Sequence, residues 1–131
     1  MKQIFKLKFS FTLISHSLKS IFYRYHSDKI NIIKQLMPRP KVVIDVGAHA
    51  GQVSKMISRA FSKKVKIIAI EPGLYARFIL RLSIFFNRLN NIDVLPFAVS
   101  DEQGFSFLNI PDKRKNSLGF GLSHMSNNHE D

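Results

Sequence analysis

The chain has 131 residues, 45% of them hydrophobic with 12 Phe and no Trp, which suits one packed domain and excludes a disordered composition. It has no Cys, which excludes a disulfide framework and any thiolate zinc site, and fits an intracellular, cytoplasmic protein. With 20 Lys and Arg against 9 Asp and Glu, the formal charge is +11, which favours contact with phosphates, nucleic acid or an anionic membrane.

The charge is uneven. Residues 1–40 hold Lys2, Lys6, Lys8, Lys19, Arg24, Lys29, Lys34 and Arg39 against Asp28 alone, while the rest of the chain is only mildly basic. Residues 1–37 read as a basic helical leader. Ile4, Leu7, Phe11, Ile14, Leu18, Ile21 and Tyr25 recur at helical spacing, with Lys6, Ser10, Ser17, Ser20 and Arg24 largely opposite. Such a helix could lie on an anionic membrane surface; the preferred reading is a helix packed on its own domain or on a partner, because helical stripes are usually core. Lys6, Lys8, His16 and Lys19 interrupt any spanning segment, and Phe9 to Ile14 is too short for the core of a signal peptide. A second short helix is expected from Asp28 to Met37, capped by Ser27 or Asp28 and broken by Pro38 and Pro40.

The region 38–111 then reads as strands alternating with helices. Val42 to Ile44 form a β-branched run suited to a parallel strand buried on both faces, and the run stops at Asp45. Gly47 and Gly51 bracket a tight loop, and Val53, Met56, Ile57 and Ala60 restore helical spacing. Lys64 to Ile70 is a second strand, parallel to the first, ended by Glu71, Pro72 and Gly73. Leu74 to Leu89 is a second crossover helix, with a stripe at Leu74, Phe78, Leu82, Phe85 or Phe86 and Leu89, closed by Asn90 and Asn91. Asp93 to Val99 is a third strand, with Pro96 at an edge or bulge, followed by the polar turn 100–104 and a hairpin strand, Phe105 to Ile110. Residues 112–131 have no period and read as polar loop or tail. The expected fold is therefore α/β and Rossmann-like: about three parallel strands with crossover helices plus a hairpin strand, preceded by N-terminal helices.

If the strands are adjacent and parallel, Asp45 to Gly51, Glu71, and Ser100 with Asp101 gather at one sheet edge, where ligands bind in such folds. A glycine turn leading into a helix start lets a ligand approach backbone N–H groups. Glu71 stands where an acid accepts hydrogen bonds from ribose hydroxyls; the plainer alternative is an acid capping the following helix. Asp45 could orient the loop or a cationic group, or simply bond nearby N–H groups. An acid replaces the first glycine of the dinucleotide fingerprint, which argues for a ligand with a ribose and a positive group rather than a pyrophosphate. His124, His129, Glu130 and Asp131 lack an element to fix a metal geometry, so no metal site is assigned.

The segments VIDVGAHAG, IAIEP and FAVSDEQG, in this order and at these spacings, resemble the FkbM-type methyltransferases, a branch of the class I S-adenosylmethionine-dependent enzymes. The resemblance covers roughly residues 38–120, and the combination is more specific than any one piece. It implies O-methylation of a sugar or other small hydroxylated acceptor. It puts Asp45, Gly47 and Gly51 in the loop under the methionine part of S-adenosylmethionine, Glu71 on the ribose, and Ser100 and Asp101 around the adenine. His49 stands where the family often shows Asn or His; the alternative is a His with no ligand contact. Gly73 departs from the family's usual Asn after the acid and proline. The chain resembles the amino-terminal, cofactor-binding half of such an enzyme, since the acidic fourth strand and the strands that shape the acceptor pocket have no counterpart after Ile110. Asp101 and His49 are the weak candidates for a base, and none is assigned. Two other readings stay open: a non-catalytic cofactor-binding module, and a membrane-surface protein acting through residues 1–40. Nucleic acid is not expected, because no reading motif accompanies the charge.

Overall fold

The computed structural model describes residues 14, 15, 17–19, 21, 22, 29–105, 107–109, 112, 113, 117, 118 and 124–126. The described leader residues between 14 and 22 are helical, and the rest of the expected 4–25 helix lies outside the described residues. Helix α1 (Ile30–Leu36) buries none of its residues and has no side-chain cap, its N-cap position being Lys29. The proposed caps Ser27 and Asp28 lie outside the described residues.

The chain then alternates β1 (Val42–Val46), α2 (Gln52–Ala60), β2 (Lys66–Ile70), α3 (Leu74–Phe86) and β3 (Ile92–Leu95). The three strands form a parallel sheet in the order β1-β2-β3. This is a mixed α/β architecture compatible with an incomplete Rossmann-like fold. The β-branched runs make the strands, and the glycine loop and the Glu-Pro-Gly turn end the first two.

Strand register sorts the side chains into two faces. Val43, Ile67 and Ile92 share one layer, and Asp45, Ala69 and Val94 the next. On this face Ile67, Ala69 and Ile92 are buried with Ala48, Ile57, Leu80 and Leu89, and Val43, Phe61, Ile84 and Val94 pack at the margin. The opposite face carries Val42, Ile44, Val46, Ile68, Ile70 and Leu95 with the ion pair of Lys66 and Asp93 at 2.7 Å, and all three β1 residues on it are exposed. The expectation that β1 is buried on both faces is therefore corrected. Two right-handed crossovers that advance in one direction put both helices on one side, so the β1 residues on the other side stay exposed, while Ile68, Ile70 and Leu95 there are half-buried.

Three further expectations shift. Helix α3 stops at Phe86, three residues early, and Arg88, at a positive φ of 51°, follows its end in place of the expected closure at Asn90 and Asn91. Its buried residues are Ala76, Ile79, Leu80 and Ser83, whereas Leu74, Phe78, Phe85 and Phe86 are exposed. Because this helix is apolar nearly all round, hydropathy alone does not choose its inner face. Asn91 instead braces the sheet: its amide oxygen accepts the Ser58 hydroxyl at 2.7 Å and its NH2 donates to the Val65 carbonyl at 2.7 Å.

The third change concerns the carboxy-terminal region. Strand β3 ends at Leu95 because Pro96, next in line, has no N–H to give a ladder. The expected hairpin strand appears as β4 (Phe107–Asn109), and residues 112–131 are not simply loop. They contain β5 (Asp112–Lys113), β6 (Ser117–Leu118) and β7 (His124–Ser126). β7 pairs antiparallel with β4, and β6 with β5. Strands of two or three polar residues are too short to show a period.

Candidate functional site

The carboxyl ends of β1 and β2 meet in one loop system. The N–H groups of Gly47 and Ala48 both donate to the Ile70 carbonyl, at 2.9 and 3.0 Å, which folds the start of the glycine loop over the end of β2. Gly47, His49 and Gly51 all have positive φ, at 72°, 49° and 81°. Gly51 is needed twice over: a Cβ there would stand 2.3 Å from Leu80 Cδ1, besides the left-handed backbone. Gly47 has open space around it, so only its backbone angle calls for glycine.

Glu71 is the pivot of the site. It is buried, its Oε2 accepts the His49 N–H at 2.8 Å, and its Oε1 accepts the Gly73 N–H at 2.8 Å. One carboxylate thus ties the glycine loop to the turn that starts α3. The Gly73 bond is the helix-start contact of the plainer reading, and the His49 bond is the one that joins the two loops. Each oxygen keeps a second lone pair that can accept a hydroxyl. Arg77 secures the turn from below by donating to the carbonyls of Glu71, at 2.9 Å, and of Pro72. The positive φ of His49 is strained for a non-glycine residue, and its N–H bond to Glu71 helps hold it there. Its ring Nε2 is buried without a hydrogen-bond partner, a polar atom inside the loop system that still lacks one.

Asp45 lies on the helix-covered face, where its Oδ2 accepts the Ser54 hydroxyl at 2.5 Å. Ser54 is fully buried in the first turn of α2. Sequence reading passed over Ser54; the available signal was a small polar residue on the inward side of a helix start, beside a strand-end acid.

Asp45, Gly47, His49, Gly51 and Glu71 are therefore gathered at the ends of two adjacent parallel strands. Ser100 and Asp101 are not at the end of the third, as expected, because β3 stops at Leu95. They are exposed; the Ser100 hydroxyl donates to Asp101 Oδ1 at 3.0 Å and accepts the Glu102 N–H at 3.4 Å. Among the described residues no group of His, Asp and Glu side chains could hold a metal ion. His129, Glu130 and Asp131 lie outside them.

A second polar cluster, Lys55 with Asn87, anchors the leader. Lys55 Nζ and Asn87 Nδ2 both donate to the Ile21 carbonyl, at 3.3 and 3.2 Å. The contact is made through a backbone carbonyl, and Ile14 and Leu18 of the expected stripe are exposed, so among the described residues that stripe does not pack on the domain. Lys55 is buried, and desolvation, with repulsion from Arg59 as the smaller cause, lowers its pKa to about 8. Burial raises the pKa of the Tyr75 phenol.

No protein-family model matches this sequence, and no curated protein or solved structure matches it either.

Proposed function

We propose that this chain is the S-adenosylmethionine-binding part of an FkbM-type class I methyltransferase that O-methylates a sugar or other small hydroxylated acceptor. The observation that carries the reading is the bond from the His49 N–H to Glu71 Oε2, which joins the glycine loop and the strand-end acid into one site. The residues present suit the cofactor. Glu71 has lone pairs left for two ribose hydroxyls, Gly47 leaves the loop backbone open to close approach, and His49 Nε2 lacks a partner. Asp45, Gly47 and Gly51 would lie at the methionine end, and Glu71 at the ribose. Ser100 and Asp101 remain assigned to the adenine side. The bound cofactor would supply an electrophilic methyl group, and the protein's share is to hold donor and acceptor in line.

The edge of β1, which pairs with no strand but β2 among the described residues, is where further strands of such an enzyme would add, and their crossover helices would cover the open face. Among the described residues no helix is long and apolar enough to cross a membrane. The reading assigns the protein to the cytoplasm, with residues 1–40 as the segment that could meet a membrane surface.

Calorimetric titration of the full chain with S-adenosylmethionine tests the proposal. Saturable heat is expected, weakened about tenfold or more in Glu71→Gln, which loses an acceptor for a ribose hydroxyl. No heat with a folded wild-type chain refutes the cofactor reading, and heat unchanged in Glu71→Gln refutes the ribose assignment.

A further inference from the structure

Helix α3 carries a second stripe diametrically opposite its core face. At 100° per residue, Ala76, Ile79, Leu80 and Ser83 centre on the sheet, while Leu74, Phe78, Arg81 and Phe85 centre on the far side. Leu74 is 76% exposed and Phe85 74%, with Phe78 and Arg81 exposed between them. A helix apolar all round belongs in a core or against another apolar phase. With 13 residues, about 20 Å, α3 is far too short to span a bilayer and long enough to lie on one.

The leader adds a matching stripe on the same side of the molecule. The Ile21 carbonyl is held by Lys55 of α2 and by Asn87, the residue that caps α3, so the leader ends against the helical layer. Its residues Ile14, Leu18 and Phe22 fall at successive fours and are all exposed.

Charge decides between the phases that could cover these stripes. The helices and their connections, residues 47–65 and 71–91, hold Lys55, Arg59, Lys63, Lys64, Arg77, Arg81 and Arg88 with Glu71 as the one acid, while Lys66, on the open face of the sheet, is paired with Asp93 at 2.7 Å. Glu71 is buried in the site, at the other end of the strand–helix units from most of these cations, so both helices present basic and apolar groups with no surface acid among them. Aromatic side chains interleaved with arginine, and no carboxylates, are complementary to an anionic lipid surface.

We infer that the outer face of the helical layer, built from Leu74, Phe78, Arg81 and Phe85 of α3 and Ile14, Leu18 and Phe22 of the leader, docks flat on an anionic membrane. The inference stands apart from the cofactor reading.

Co-sedimentation of the full chain with vesicles of phosphatidylcholine, with and without phosphatidylserine, tests it. The chain is expected to pellet with the anionic vesicles, far less with the neutral ones, and to be released by salt. Phe85→Ser is expected to weaken partitioning about tenfold, and Arg81→Gln about fivefold at low salt, with circular dichroism unchanged in both. A chain that stays in the supernatant, or pellets equally with neutral vesicles, overturns the inference, as does undiminished binding by both variants. So does a dimer in light scattering that Phe85→Ser dissolves while no vesicle is bound, since the face would then serve a second copy.

Discussion

The two faces of the three-stranded sheet both carry Val and Ile and have different fates, and the open one also holds the Lys66–Asp93 ion pair. Val43, Ile67, Ala69 and Ile92 face α2 and α3 and form the core, whereas Val42, Ile44 and Val46, one position away along β1, are exposed. The difference comes from topology, because a chain that always steps in one direction lays every crossover on one side. Side-chain chemistry made both faces fit for burial, and chain path supplied cover for one.

That contrast is open to direct attack. The largest effect is expected from Ile67→Ala, which empties a fully buried site and should cost about 3 to 4 kcal/mol in urea melts, while Ile44→Ala on the open face should cost under about 1 kcal/mol. Equal costs would mean that the open face is covered in solution. Next come the two loop glycines. Gly51→Ala meets both a forbidden backbone angle and Leu80, and should cost about 2 to 3 kcal/mol; Gly47→Ala meets the angle alone and should cost about 1 kcal/mol. If the two cost the same, the packing of the loop on α3 is not the constraint.

The remaining effect is electrostatic and lies on the covered side. Lys55 has a folded pKa of about 8 against 10.5 unfolded, so the unfolded chain binds more protons between these values. Its contribution is unfavourable below about pH 8 and is relieved as pH rises towards 10, adding on the order of 1 to 2 kcal/mol. Above pH 10 Tyr75 acts in the opposite sense, since its raised pKa keeps the phenol protonated in the folded state and stability is lost as it ionises. Thermal melts at pH 8 and pH 9.5 should therefore show a gain in the native chain that Lys55→Met abolishes. A gain that persists in Lys55→Met assigns it to another group.

The order of elements and the pairing of the first two strand ends were legible because β-branched runs stop at Asp45 and at Glu-Pro-Gly, which are local signals. What escaped sequence reading depended on the third dimension. The inner stripe of α3 was misplaced because Leu74, Phe78, Ile79, Leu80, Phe85 and Phe86 offer several apolar faces, and only contact with Ile67 and Ile57 chooses one. Ser54 went unassigned and Asn91 was read as a helix end because their partners, Asp45 for the one and Ser58 with Val65 for the other, lie on other elements. Ser100 and Asp101 were drawn to the sheet edge by a strand that Pro96 ends early. The open face was signalled only by Lys66 and Asp93, two charged residues in strands otherwise spelled for burial.

The joining of the glycine loop to Glu71 as a cofactor site is tested most directly by amide resonances of the full chain during titration with S-adenosylmethionine. The amides of Gly47, His49, Gly51 and Gly73 should shift together and saturate at one ligand concentration, with those of α1 unmoved. Shifts confined to other residues, or none at saturating ligand, would contradict it.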